Sequence, residues 1–208
     1  MAADVQISVV DYGVGNLGSV MNMLRRIRVS AALVSTPEEV GSARRILLPG
    51  VGKFDRGMEG LEQRGLDAAI QEAALGGRPV LGICLGMQLL TKRSEEGQRT
   101  GLGLVDVETV RLDDHEGSVT VPHMGWGWVR PVAAHPVLDG LDFPARFYFA
   151  HSFAVPADGA ATTLAVSRHG SFLSSVIGRE NVLGAQFHPE KSHVFGMQFL
   201  ERFGSWEP

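Results

Sequence analysis

From Val5 to Thr91 the chain alternates short apolar runs with helix-patterned segments, and no other feature restricts its fold as much. Val5–Val10 is an apolar, β-branched run suited to a strand buried on both faces. Leu17 to Ile27 reads as a helix, with Met21, Leu24 and Ile27 at helical spacing and Asn16 or Ser19 as its cap. Ala31–Val34 is a second short strand, and Thr36-Pro37-Glu38-Glu39 opens a helix. Ile46–Leu48 is a third strand, ended by Pro49-Gly50, and Leu66 to Leu75 a helix closed by Gly76-Gly77. Pro79 to Ile83 and Leu85 to Thr91 complete the pattern as strand and helix. Such alternation builds βαβ units around a parallel sheet.

The second half changes character. Leu104–Arg111, Arg146–Phe149, Thr163–Ser167, Phe172–Ile177 and Val182–Phe187 are strand-like and closely spaced, which favours hairpins. A last helix runs from about Glu190 to Phe203, with Val194, Met197, Leu200 and Phe203 on one face. The expected fold class is α/β: an open, mostly parallel sheet with helices on both faces and some antiparallel strands in the second half. Residues 1–208 form one expected domain.

With 208 residues, 44% of them hydrophobic, the chain can bury a substantial core. A net charge of −4 offers nothing that would attract nucleic acid or an anionic membrane. No apolar run approaches spanning length, and MAADVQ lacks the regions of a signal peptide. The single cysteine, Cys84, excludes an internal disulfide and fits a reducing, cytoplasmic setting.

GVGNLG (Gly13 to Gly18) matches G-x-G-x-x-G, the dinucleotide fingerprint, between the first strand and helix. Two features argue against a pyrophosphate there. Asp11 would stand beside it, and the second strand closes on Val34-Ser35-Thr36 without the expected acid. Glu38 has roughly the right separation but falls in a first helical turn, where a carboxylate has an ordinary role. The competing reading is a tight turn that packs a helix closely on the sheet.

GICLGMQLL (Gly82 to Leu90) places Cys84 between two glycines at a strand-to-helix junction. This is the nucleophile elbow with cysteine in place of serine. The helix start favours a thiolate, and the backbone N–H of Leu85 points to where an oxyanion would form. A buried structural cysteine is the alternative. In QFHPEKS (Gln186 to Ser192), His188 and Glu190 stand two residues apart around Pro189. Beside Cys84, His188 would take the thiol proton and Glu190 would orient the ring, although the segment also reads as a helix start. Metal-ligand spacings such as C-x-x-C or H-x-x-x-H are missing, so neither a metal nor another cofactor is expected.

Taken together, DYGVGNLGSV, LPGVGKFDRGM, GICLGMQLL, VPHMGWG, FYFAHSF and QFHPEKS resemble the class I (triad-type) glutamine amidotransferases nearly end to end. Within them, the pattern is similar to the glutaminase subunits of imidazole glycerol phosphate synthases, of the histidine pathway. The resemblance implies a glutaminase with Cys84 as nucleophile, His188 as general base and acid and Glu190 as its orienting partner. It implies oxyanion donors at the backbone of Leu85, Val51 and Gly52, and glutamine binding by Gly52, Gln88, His151 and Ser152. It also implies a heterodimer with a (β/α)8-barrel cyclase that consumes the ammonia, docked on Asn16, Met124, Trp126, Tyr148 and Lys191. The Met and Trp residues of HMGWGW suit a contact surface, with Trp128 expected in the core.

The chain departs from the family pattern at Gly127, where asparagine is usual, and at Ala150 and Phe153 around the His-Ser pair. Arg168-His169-Gly170 departs as well. Gly127 leaves room for a paralogue that feeds ammonia to a different synthase. A non-catalytic subunit is a further alternative, against which the intact Cys, His and Glu weigh.

Overall fold

The computed structural model describes residues 6–114, 117, 119–141, 144–158 and 161–208. In chain order the elements are β1 (Ile7–Val10), α1 (Leu17–Arg26), β2 (Ala31–Val34), α2 (Pro37–Gly41), β3 (Ile46–Gly50), α3 (Phe54–Glu62), α4 (Leu66–Leu75), β4 (Val80–Cys84) and α5 (Leu85–Leu89). There follow β5 (Arg93–Ser94), β6 (Glu108–Arg111), β7 (His123–Pro131), β8 (Ala145–His151), β9 (Phe153–Ala154), β10 (Thr163–His169), β11 (Ser171–Arg179), β12 (Val182–Ala185) and α6 (His193–Ser205). Val5, which opens the first expected strand, lies outside the described residues.

A nine-stranded sheet runs β2-β1-β3-β4-β12-β11-β10-β7-β8. The pairs from β2 to β12 are parallel and those from β12 to β8 antiparallel, which bears out the expected division between the halves. Period-two alternation sends neighbouring residues to opposite faces. Ile7, Val9, Leu81 and Ile83 pack with Val20 and Leu24 of α1 and Phe199, Leu200 and Phe203 of α6. Val10, Ile46, Leu48 and Val80 pack with Phe54, Leu61, Ile70 and Leu89 on the other side. Among the described residues no helix is long and apolar enough to cross a membrane.

Several local expectations change. α3 has no counterpart in the sequence reading, because the glycines of LPGVGKFDRGM conceal its helical spacing. The expected strand Leu104–Arg111 is paired only over Glu108–Arg111, and β3 extends through Pro49-Gly50. Pro189–Lys191 forms a 3-10 turn, so the last helix starts at His193 and leaves Val194 half exposed. HMGWGWVRP is a strand, with Met124, Trp126, Trp128 and Arg130 all exposed on one side. Trp128 is 58% exposed rather than core, since strand alternation carries it to the same open face as Trp126.

Candidate active site

Three neighbouring strands deliver the chemistry at their carboxyl ends, the edge where parallel α/β sheets place their ligands. Gly50 at the end of β3 is in register with Cys84 at the end of β4, and β12 pairs with β4 from the other side. The chain leaving β12 then reaches His188 within three residues of Ala185.

Cys84 has φ 54° and ψ −109°, a conformation rarely adopted by a side-chain-bearing residue. Its flanking glycines make the bend possible. A Cβ on Gly86 would lie 1.8 Å from the Leu48 carbonyl oxygen, and one on Gly82 2.5 Å from that of Gly86. Leu85 opens α5, so its N–H has no carbonyl one turn back within the helix. Gln186 Nε2 donates toward Cys84 Sγ at 3.8 Å, and Sγ donates toward the Ala150 carbonyl at 3.9 Å.

His188 is 1% exposed, and its Nδ1–H donates to Glu190 Oε1 at 2.8 Å. Burial is the largest influence on this imidazole and disfavours its charge. Hydrogen bonds to Cys84 and Glu190, with their negative charge, outweigh it and raise its pKa to about 9. The turn carrying the pair is held to β8: His188 N–H donates to the Tyr148 carbonyl at 2.8 Å. Ser192 Oγ donates to the His188 carbonyl at 2.6 Å and accepts from Tyr148 N–H at 3.0 Å. Gly196 admits the turn, since a Cβ there would lie 1.8 Å from the Pro189 carbonyl oxygen.

A cleft of about 410 Å³ opens over Cys84, within the range of small-molecule sites. Val51, Gly52 and Leu85 line it, as do Gln88, His151 and Ser152, so the residues assigned to oxyanion and substrate contacts line the same cleft as Cys84. Gln88 Nε2 donates to the Phe153 carbonyl at 3.0 Å and to Gln186 Oε1 at 3.2 Å. His151 Nδ1–H donates to the Phe153 carbonyl at 2.9 Å. Burial, assisted by His123, pushes the His151 pKa down to about 3 and keeps the ring neutral. Among the described residues no set of three or more His, Cys, Asp and Glu side chains is arranged to hold a metal ion.

Two cleft residues escape sequence reasoning. Glu96 and Lys53 line the same cavity, and Glu96 Oε2 accepts the Phe54 N–H at 2.8 Å, capping α3 from a distant loop. In the sequence Glu96 is one acid in SEEGQ and carries no signal. Gln186 sits in the QFHPEKS motif, but its position between Gln88 and Cys84 depends on the strand order.

The departures at Ala150 and Phe153 contact Cys84, His151 and Gln88 through their carbonyls, so the altered side chains leave these bonds in place. A Cβ on Gly127 would lie 2.9 Å from the Phe149 ring, which explains glycine there by packing. His169 stacks on His123 at 4.1 Å between ring centroids.

Around the GVGNLG turn, side chains bond to nearby backbone. Asp11 Oδ1 accepts Gly13 N–H at 3.0 Å, Arg64 donates to the Asp11 carbonyl at 2.6 Å, and Asn16 Oδ1 caps α1 through Ser19 N–H at 3.3 Å. The residues assigned to partner contact are accessible. Met124 is 65% and Trp126 40% exposed, and Trp126 meets Tyr148 edge-on across the β7–β8 ladder. Lys191 Nζ lies 5.5 Å from the Tyr148 ring, and α1, capped by the exposed Asn16, packs against the Pro189–Lys191 turn.

The family description glutamine amidotransferase class-I matches residues 8–204. The chain belongs to the class I glutamine amidotransferases. It is 47% identical over 200 residues to the imidazole glycerol phosphate synthase subunit HisH of Symbiobacterium thermophilum, covering 96% of this chain and 93% of that protein. It is 43% identical over 198 residues to subunit HisH 2 of the same synthase from Pseudomonas aeruginosa, covering 95% and 98%. A solved glutamine amidotransferase shares the fold with a TM-score of 0.74 at 19% identity, covering 97% of this chain and all of that one. PurLQS from Thermotoga maritima does so with a TM-score of 0.73 at 18% identity, covering 95% and 96%. A class I amidotransferase therefore carries the buried Cys84–His188–Glu190 set at its sheet edge.

Proposed function

We propose that this amidotransferase is the glutaminase subunit of imidazole glycerol phosphate synthase, acting as one cytoplasmic domain over residues 1–208. The likeness to HisH subunits at 43% and 47% identity, over nearly the full length of each, carries this reading.

In the mechanism, Cys84 Sγ attacks the glutamine amide carbon while His188 holds the thiol proton and delivers it to the departing ammonia. Glu190 keeps the ring oriented and, buried beside it, balances the imidazolium. Backbone N–H groups of Leu85, Val51 and Gly52 stabilise the tetrahedral oxyanion. Water activated by His188 then attacks the glutamyl thioester and releases glutamate. Gly52, Gln88, His151 and Ser152 hold the substrate. The exposed face formed by Asn16, Met124, Trp126, Tyr148 and Lys191 receives a (β/α)8-barrel cyclase, to which ammonia passes. Gly127, which the Phe149 ring accounts for, favours no different synthase.

The test is glutamate release by wild type and Cys84→Ala, each mixed with the cyclase subunit and its ribotide substrate. Stimulated release by wild type and none by the variant is expected. Full activity of Cys84→Ala would overturn the mechanism, and indifference to the cyclase would overturn the assignment of partner.

A further inference from the structure

Tyr12 belongs to the DYGVGN turn, yet its side chain turns inward and is 1% exposed. Its hydroxyl donates to the Pro49 carbonyl at 2.7 Å, bridging 37 residues of sequence. That carbonyl belongs to the peptide that leads into Gly50-Val51-Gly52. Gly50 is pinched at the same point: a Cβ there would lie 2.5 Å from the Tyr12 hydroxyl, 2.9 Å from Leu85 Cβ and 3.0 Å from the Gly86 nitrogen. The phenol and the first residues of α5 therefore close together on the same side of Gly50, where only a hydrogen fits. Tyr12 is itself wedged from behind, since a Cβ on Gly60 of α3 would lie 2.5 Å from its carbonyl oxygen.

We propose that Tyr12 is a positioning residue for the oxyanion site, its hydroxyl fixing the Pro49–Gly50 peptide and so the spacing of the Val51 and Gly52 amides from Leu85. A peptide plane gripped at its oxygen cannot rotate without losing a buried hydrogen bond. The two groups of oxyanion donors lie on separate elements, and the Tyr12–Gly50–Leu85 contact is where those elements meet. Burial, with the charge of nearby Cys84, raises the phenol pKa, so the hydroxyl stays a donor wherever the enzyme works. This inference rests on Cys84 as nucleophile and on the glycine loop as an oxyanion donor.

The experiment compares wild type with Tyr12→Phe, each in complex with the cyclase subunit. The variant keeps the ring and removes the hydroxyl. Expected is a fall in kcat of roughly tenfold to a hundredfold, the scale of a misplaced donor, with KM within about threefold. Inhibition by glutamate γ-semialdehyde, whose aldehyde forms a tetrahedral adduct on Cys84, weakens by the same factor. Alkylation of Cys84 by iodoacetamide passes through no oxyanion and keeps its rate and pH profile. Unchanged kcat and semialdehyde affinity would overturn the proposal, as would alkylation falling in step with kcat. If melting shows Tyr12→Phe misfolded, Gly50→Ala puts a methyl into that contact and displaces the Tyr12 hydroxyl, with the same expected split and the same overturning result. Persistent hydrolysis by Cys84→Ala would instead condemn the underlying mechanism and is read separately.

Discussion

His188 Nδ1 and Glu190 Oε1 lie 2.8 Å apart with both side chains nearly sealed from solvent, at 2% and 3% exposure. A charge buried this deeply persists only when it is paired, and the pairing favours protonated His188 beside Cys84. Glu190→Gln keeps the shape and removes the charge. It is expected to lower kcat/KM by roughly a hundredfold and to move the alkaline limb of the pH profile downward. Steady-state glutamine hydrolysis across pH 6 to 10 checks both; an unmoved limb would deny Glu190 its role.

The same pair makes stability depend on alkaline pH. The folded-state pKa of His188, about 9, stands above its ordinary 6.5. Its contribution is therefore complete below about 6.5 and lost as pH rises through about 9. The melting temperature of wild type should fall across that window, and that of Glu190→Gln should fall less.

On the acid side His123 and His151 act in the opposite sense. Burial, aided by the neighbouring His169 and His123 respectively, pushes their pKa values down to about 4 and about 3. The unfolded chain then takes up protons that the folded chain refuses, and stability declines as pH drops below about 6.5. Replacing His123 with Asn should flatten melting temperature between pH 6.5 and 4, measured against wild type in the same buffers.

Gly86→Ala tests the elbow by sterics. Its methyl would meet the Leu48 carbonyl oxygen inside any permissible contact, and a destabilisation of about 3 kcal/mol or more is expected from such overpacking. Denaturant unfolding measures it; a loss under about 1 kcal/mol would show that β3 can give way.

The β7–β8 face separates binding from stability. Trp126→Ala should weaken the complex with the cyclase by about tenfold or more. Trp126 and Trp128 are 40% and 58% exposed, so alanine at either should shift unfolding by little, about 0.5 kcal/mol or less for Trp128. Titration calorimetry and melting of the isolated subunit distinguish the two effects. A melting loss as large as that of a core tryptophan would contradict the exposed placement.

Legibility of this molecule followed the range of the forces involved. Gly82, Cys84 and Gly86 were readable because a sharp strand-to-helix bend is a steric condition met within five residues. His188 and Glu190 were readable because a proline between them fixes their presentation over three residues. Trp128 was not, because large apolar side chains on a strand read as core until the pairing of β7 with β8 shows an uncovered face. The contacts of Glu96, Tyr12 and Gln186 left no trace, since their hydrogen-bond partners stand 42, 37 and 102 residues away.

Local chemistry thus settled the order of strands and helices through most of the first half, the cysteine elbow and the His188–Glu190 pairing around Pro189. Whether those parts form one site was decided elsewhere. It required β3, β4 and β12 to lie side by side and parallel, so that Gly50, Cys84 and the turn bearing His188 emerge at one edge. The physical reason is that sheet order arises from ladder hydrogen bonds and from the two apolar layers packed on opposite faces, both formed between residues far apart in the chain.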